Sequence, residues 1–230
     1  AAGYVYQDGT PYSAGTTTYS LSRSNTLRAN TQFIAGGRNR NTVTIGDLDT
    51  SDPWCLFPTN TIWGYTLNEQ ILLSSEIGVA GTINSISYYY VRQSGIITTC
   101  TRNLDIYMKH TTKNSFAVND WDQVASTDLV YSGNYSFDYS TPGWNTITLD
   151  TPFEYNGTDN LLICFDDNTG SFQSVGYFAR HSTEATRGIY VYSDDTNFNA
   201  LSMSSYSGNT SESAKTADIM LDITPAGQGG

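Results

Sequence analysis

Apolar and polar residues alternate with a period of two along much of this chain. Across residues 102–110, Leu104, Ile106 and Met108 fall on one side and Asp105, Tyr107 and Lys109 on the other. That is the pattern of a half-buried strand. Residues 218–224 repeat it, with Ile219, Leu221 and Ile223 inward against Asp218, Met220 and Asp222. In residues 83–91, Ile86, Tyr88 and Tyr90 alternate with Ser87, Tyr89 and Val91. Residues 145–170 carry the densest version. Two short strands, 145–149 and 161–165, flank a turn-forming connector with Pro152, Asn156-Gly157 and Asp159-Asn160, and 166–170 (DDNTG) closes the unit. Further strands are predicted at 42–45, 62–67, 123–125, 129–132, 175–178 and 189–193, with one helical turn or a loop at 74–78. About eleven short strands at sandwich-like spacing, and no long run of helical period, predict an all-β fold. The expected architecture is an antiparallel β-sandwich, jelly-roll-like in view of the chain length and broad loops.

Composition sharpens this picture. Of 230 residues only 14% are charged, against roughly 25% in an average soluble domain, and the difference is made up by small polar residues and 17 Tyr. Thr and Tyr suit a pleated backbone. The net charge of −11 and the pI near 4.3 argue against a nucleic-acid partner and against an electrostatic anchor on anionic lipid. No apolar run approaches the roughly 18 residues of a membrane span, so no membrane insertion is expected. The start at Ala1-Ala2-Gly3 without Met fits a processed form. Residues 1–45 stand apart, with Arg23, Arg28, Arg38 and Arg40 against a single acid, Asp8. Residues 1–41 therefore read as an extended arm or linker, and 42–230 as the sandwich domain. An arm of that length is expected to pair or dock, on its own body or on a neighbouring copy.

Candidate chemistry is thin. There are two histidines, His110 and His181, and no GxSxG nucleophile elbow. No enzyme activity is expected. No cofactor is implied beyond the option of a structural calcium. Asp166 and Asp167 are the candidate ligands, because calcium favours loop oxygens. Turn chemistry explains the same residues. Cys55, Cys100 and Cys164 show no zinc spacing, and sequence alone does not decide whether two of them are bridged. Aromatic side chains carry the sharper hypothesis, since sugars are held on flat rings with a polar rim. Trp121, between Asp120 and Asp122, is expected to be exposed. Tyr89, Tyr107, Tyr190 and Tyr192 are candidates for a stripe on one sheet face, with ordinary cross-strand packing as the alternative.

Several segments carry a resemblance to a known family. Residues 61–84 (TIWGYTLNEQILLSSEIGVAGTIN) with 85–89, 102–116 (RNLDIYMKHTTKNSF), 120–124 (DWDQV) and 143–170 resemble, in the same order, a poorly characterised β-sandwich domain of secreted and cell-surface proteins of Bacteroidetes, also seen in phages of these bacteria. The resemblance runs from about residue 42 to 224 and leaves the arm outside. It implies an extracellular, non-catalytic module and brings no set of site residues. The expected function is adhesion or carbohydrate binding at the cell surface, with a glycan or another surface protein as partner. The alternative is a structural subunit of an appendage or phage fibre, self-associating through residues 1–41.

Overall fold

In a computed structural model, the described residues are 40–227 without Ser94 and Ser174, together with the backbone of four short arm segments. These segments are β1 (Val5–Gln7), β2 (Thr10–Tyr12), β3 (Tyr19–Ser20) and β4 (Asn30–Gln32). The body follows as β5 (Arg40–Ile45), β6 (Tyr65–Leu72), the single turn α1 (Ser74–Ile77), β7 (Gly81–Gln93) and β8 (Thr99–Thr111). Next come β9 (Leu129–Asp138), β10 (Gly143–Tyr155), β11 (Asn160–Asp167), β12 (Gly176–Phe178) and β13 (Arg180–Ser182). The last strands are β14 (Gly188–Ser193), β15 (Ser211–Ser213), β16 (Lys215–Ala217) and β17 (Ile219–Pro225).

The strands form an antiparallel β-sandwich. One sheet runs in the order β10-β7-β17-β5-β4-β3, with β12 also on β7, and the other runs β15-β14-β6-β11-β8-β9. From β5 to β12 the chain crosses between the sheets at every step but β8–β9, which gives the fold its jelly-roll-like character. The alternation read from sequence sets the inner faces. Leu104, Ile106 and Met108 of β8, Ile163 and Phe165 of β11, and Ile86 and Tyr88 of β7 meet Ile219, Leu221 and Ile223 of β17 in one core. Tyr88 meets Phe165 edge-on across the sheet gap, with ring centroids 5.5 Å apart.

A second core lies on the far side of the six-stranded sheet. Leu67 and Ile71 of β6, Leu162 and Cys164 of β11, Tyr107 of β8, and Ile189 and Val191 of β14 face outward there. Two long connections cover them with Phe116, Trp121 and Val124 from one, and Phe198, Ala200 and Met203 from the other. β6 and β11 of this sheet are therefore buried on both faces. This explains why residues 161–165 (LLICF) read as a continuous apolar run. Residues 68–70 (NEQ) break the apolar pattern, so the sequence ends β6 too early, at 67. The structure continues it to Leu72, with all three polar residues buried. Residues 123–125, predicted as a strand, are part of a covering connection.

The described arm segments pair. Asn30, Thr31 and Gln32 stand opposite Thr42, Asn41 and Arg40, so β4 adds to the edge of β5. Arg40 reaches Asp222 of β17 at 2.8 Å. Arg23, Arg28 and Arg38 of the arm lie outside the described residues.

The three thiols are free. Cys100 sits in the inner core and Cys164 in the second core, on opposite faces of one sheet, so they do not meet. No helix among the described residues is long and apolar enough to cross a membrane.

Candidate ligand-binding surface

The aromatic candidates fall on separate surfaces, because neighbouring strand positions point to opposite faces. Trp121 is buried at 5% exposure, contrary to the expectation from its acidic flanks. The flanks are the reason. Asp122 accepts from Lys109 Nζ at 2.9 Å and Thr111 Oγ1 at 2.5 Å, while Asp120 accepts from Lys113 Nζ at 2.6 Å. Both acids are held toward β8 and its following turn, and the indole between them packs into the second core. Tyr107 is buried in that same core. Tyr89 lies half-buried on the outer face of the other sheet, directly opposite Trp144 in register and edge-on to it at 5.3 Å. That is cross-strand packing. A single tyrosine stripe does not form.

Tyr190 and Tyr192 do come together, with a partner the sequence reading placed inside a strand. Tyr192 stacks on Trp63 at 4.5 Å and 22°, and on Tyr190 at 6.2 Å and 17°. Phe57 abuts Tyr190 edge-on at 5.9 Å. Trp63 is not in β6 but in the turn that leads into it, closed by a Trp63 N–H to Asn60 carbonyl bond of 3.1 Å. The short β15 pairs only with Gly188, Ile189 and Tyr190, so the end of β14 that carries Tyr192 is left uncovered. Tyr192 is 42% exposed. Beside this ledge, the Gln173 N–H donates to the Thr61 carbonyl at 2.7 Å, and exposed Ile62 and Phe172 flank that contact.

A buried ion pair holds the ledge in place. Arg102 and Asp167, both fully buried, meet through Nε and Oδ2 at 2.7 Å. The rest of the guanidinium donates to the carbonyls of Ser171 and Trp63, each at 2.7 Å, and of Gly64 at 3.3 Å. Asp167 also accepts from Thr59 Oγ1 at 2.5 Å and Thr169 Oγ1 at 2.6 Å. One side chain thus ties the turn carrying Trp63 to the connection carrying Phe172.

Asp166 and Asp167 do not form a joint metal site. They are consecutive on β11 and project to opposite faces. Asp167 points inward to Arg102, while Asp166 Oδ2 accepts from the Ala200 N–H at 2.9 Å on the outer face. Burial pushes the Asp166 carboxyl up to about 7. Among the described residues, no group of three or more His, Cys, Asp or Glu is placed to hold a metal.

Two further polar contacts are structural in their geometry. His181 Nδ1 lies 2.8 Å from Oδ1 of fully buried Asp218, whose Oδ2 accepts from the Leu48 N–H at 2.7 Å. Gly46 permits this with φ +115°, since a Cβ there would lie 2.1 Å from the Asp218 carboxylate. His110 Nε2 accepts from the Asn156 N–H at 3.0 Å and the ring packs on Phe153 and Tyr155, which leaves it half-buried. Glu69 is also pushed up, to about 8, by burial beside the second core, and it accepts from the Asp122 N–H at 2.9 Å.

No protein family, no curated protein and no solved structure matches the chain.

Proposed function

We propose that the chain is a non-catalytic, extracellular adhesion or carbohydrate-binding module, and that the Trp63–Tyr192–Tyr190 ledge is its contact surface. The observation that carries this reading is the ledge itself. Three near-parallel rings sit at an uncovered strand end, braced from below by Phe57 and fixed by Arg102. Flat apolar rings with hydroxyl and carboxylate groups at the rim suit the C–H faces of a sugar. Asp194, whose Oδ1 accepts from the Gly64 N–H next to Trp63 at 2.9 Å, brings a carboxylate to that turn. The low charge content, made up by small polar residues and Tyr, supports the extracellular part of the reading.

The test is glycan-array binding of the intact chain beside Trp63→Ala and Tyr192→Ala. Each substitution is expected to weaken binding about ten-fold or more, as loss of ~1.4 kcal/mol of stacking and burial would. Unchanged binding in both variants would remove the ledge from the reading.

A second reading has its own observation. β4 adds to the β5 edge through only three residue pairs, and an arm from a neighbouring copy makes the same pairing equally well. This favours a structural subunit assembled by strand exchange.

A further inference from the structure

The connection from β14 to β15 is longer than two antiparallel neighbours need. Most of it is a rigid platform. The 3-10 helix Ala200–Ser205 is held at four points. The Ala200 N–H donates to buried Asp166, the Leu201 N–H to Asn199 Oδ1, Gln123 Nε2 to the Ala200 carbonyl, and the Ser204 N–H to Gln123 Oε1, all between 2.8 and 2.9 Å. From below, Phe198, Ala200 and Met203 sink into the second core, and Tyr206 stands edge-on to Phe198 at 5.8 Å. What the platform leaves on its outer side is a groove of about 310 Å³.

The lining of this groove has one chemical character. Thr196 and Asn197 offer a hydroxyl and an amide beside Phe198 and Tyr206, the Ser202 and Ser205 hydroxyls donate to the Asn199 and Ser202 carbonyls and keep lone pairs that can accept, and none of the lining residues is charged. Hydroxyls and amides donate and accept alike, which is what recognition of a polyol needs. The volume falls at the lower end of small-ligand cavities. The groove offers no cation to an anionic ligand, and the chain's net charge of −11 opposes one. The helix that forms its floor is fixed by the bonds from Asp166, Asn199 and Gln123 before any ligand arrives, which lowers the ordering cost of binding.

We propose that the groove between Thr196 and Ser207 is a subsite for an uncharged oligosaccharide, separate from the aromatic ledge. It rests on the carbohydrate-binding reading and adds a second point of contact, so that a glycan surface engages the module twice.

The experiment follows backbone amide resonances of the intact chain during titration with cello-, malto-, xylo- and mannohexaose, with hexagalacturonate as the charged comparison. At least one neutral hexaose is expected to shift resonances within residues 197–206. Ser205→Glu, on the exposed helix face, should weaken that response ten-fold or more, and Asn197→Ala should weaken it without adding charge. Trp63→Ala should leave it in place. The proposal is overturned if no neutral hexaose shifts the groove, if the uronate shifts it equally, if neither groove variant changes the response, or if Trp63→Ala abolishes it. A response confined to the ledge overturns the groove and leaves the proposed function standing. Silence at both surfaces overturns both.

Discussion

Glu69 shows how far a protein environment can move one carboxyl. It shares the outer face of β6 with Leu67 and Ile71 and lies beside Cys164 in register on β11. Desolvation is the main cause of its upward shift. Asp122 adds to it, while Lys113 and Lys109 and the hydrogen bond from the Asp122 N–H oppose it. An acid with a raised folded pKa binds its proton more tightly in the native state than in the unfolded chain. Its cost is therefore absent at low pH, grows as pH rises above the unfolded value near 4.5, and is complete above about 8. Glu69→Gln keeps an acceptor for the Asp122 N–H and cannot ionise. The variant should match the parent in urea unfolding near pH 4 and exceed it by ~1–3 kcal/mol at pH 8. An equal stability difference at both pH values would show that the fold does not raise the Glu69 pKa. Trp121 is the other instructive side chain. Its replacement by Ala removes a buried ring from the second core, so it would report on folding and not on ligand contact.

Among the elements, the two loops beside the ledge matter most, and they are joined by a residue of β8. Arg102 looks from sequence like a polar strand position before Leu104. In the sandwich it is fully buried and serves four acceptors, Asp167 at the end of β11 and three carbonyls in two loops. Arg102→Leu would leave Asp167 buried without its cation and would free the Trp63 and Ser171 carbonyls. A loss of about 3–5 kcal/mol in urea unfolding is expected, together with weaker glycan binding as the ledge loosens. Binding retained at parental strength in a folded Arg102→Leu protein would show that the ledge does not depend on this anchor. The strands themselves were legible where one face is apolar, as in β7, β8 and β17. The predicted turn Asp159-Asn160 meets the start of β11, whereas the turn predicted at 166–170 begins too early, since Asp166 and Asp167 still pair within the strand. Boundaries slipped where polar residues are buried. Asn68, Glu69 and Gln70 look like a loop, yet they lie in the middle of a strand whose two faces are both covered.

For the chain taken together, the open question is where the arm pairs. Covering β5 with β4 protects a strand edge that would otherwise be free to pair with another molecule. If the arm pairs with its own body, the intact chain is monomeric in light scattering. Deletion of residues 1–39 then bares the β5 edge and produces self-association. This is the expected outcome. Large assemblies of the intact chain that disappear on the same deletion would establish strand exchange and favour the structural-subunit reading.

The period-two patterning, the spacing of turn residues and the scarcity of charge were enough to determine an antiparallel sandwich and the inward residues of its best strands, because these depend on local alternation and on neighbours close in sequence. Which rings are buried was beyond local reasoning. Trp121 and Trp63 both sit in polar connections, and only the folded arrangement turns the first into a core and stands the second against Tyr192. The second core, the Arg102 anchor and the groove over the Ala200–Ser205 helix are likewise made by segments tens of residues apart, held by contacts that exist only once both sheets have formed.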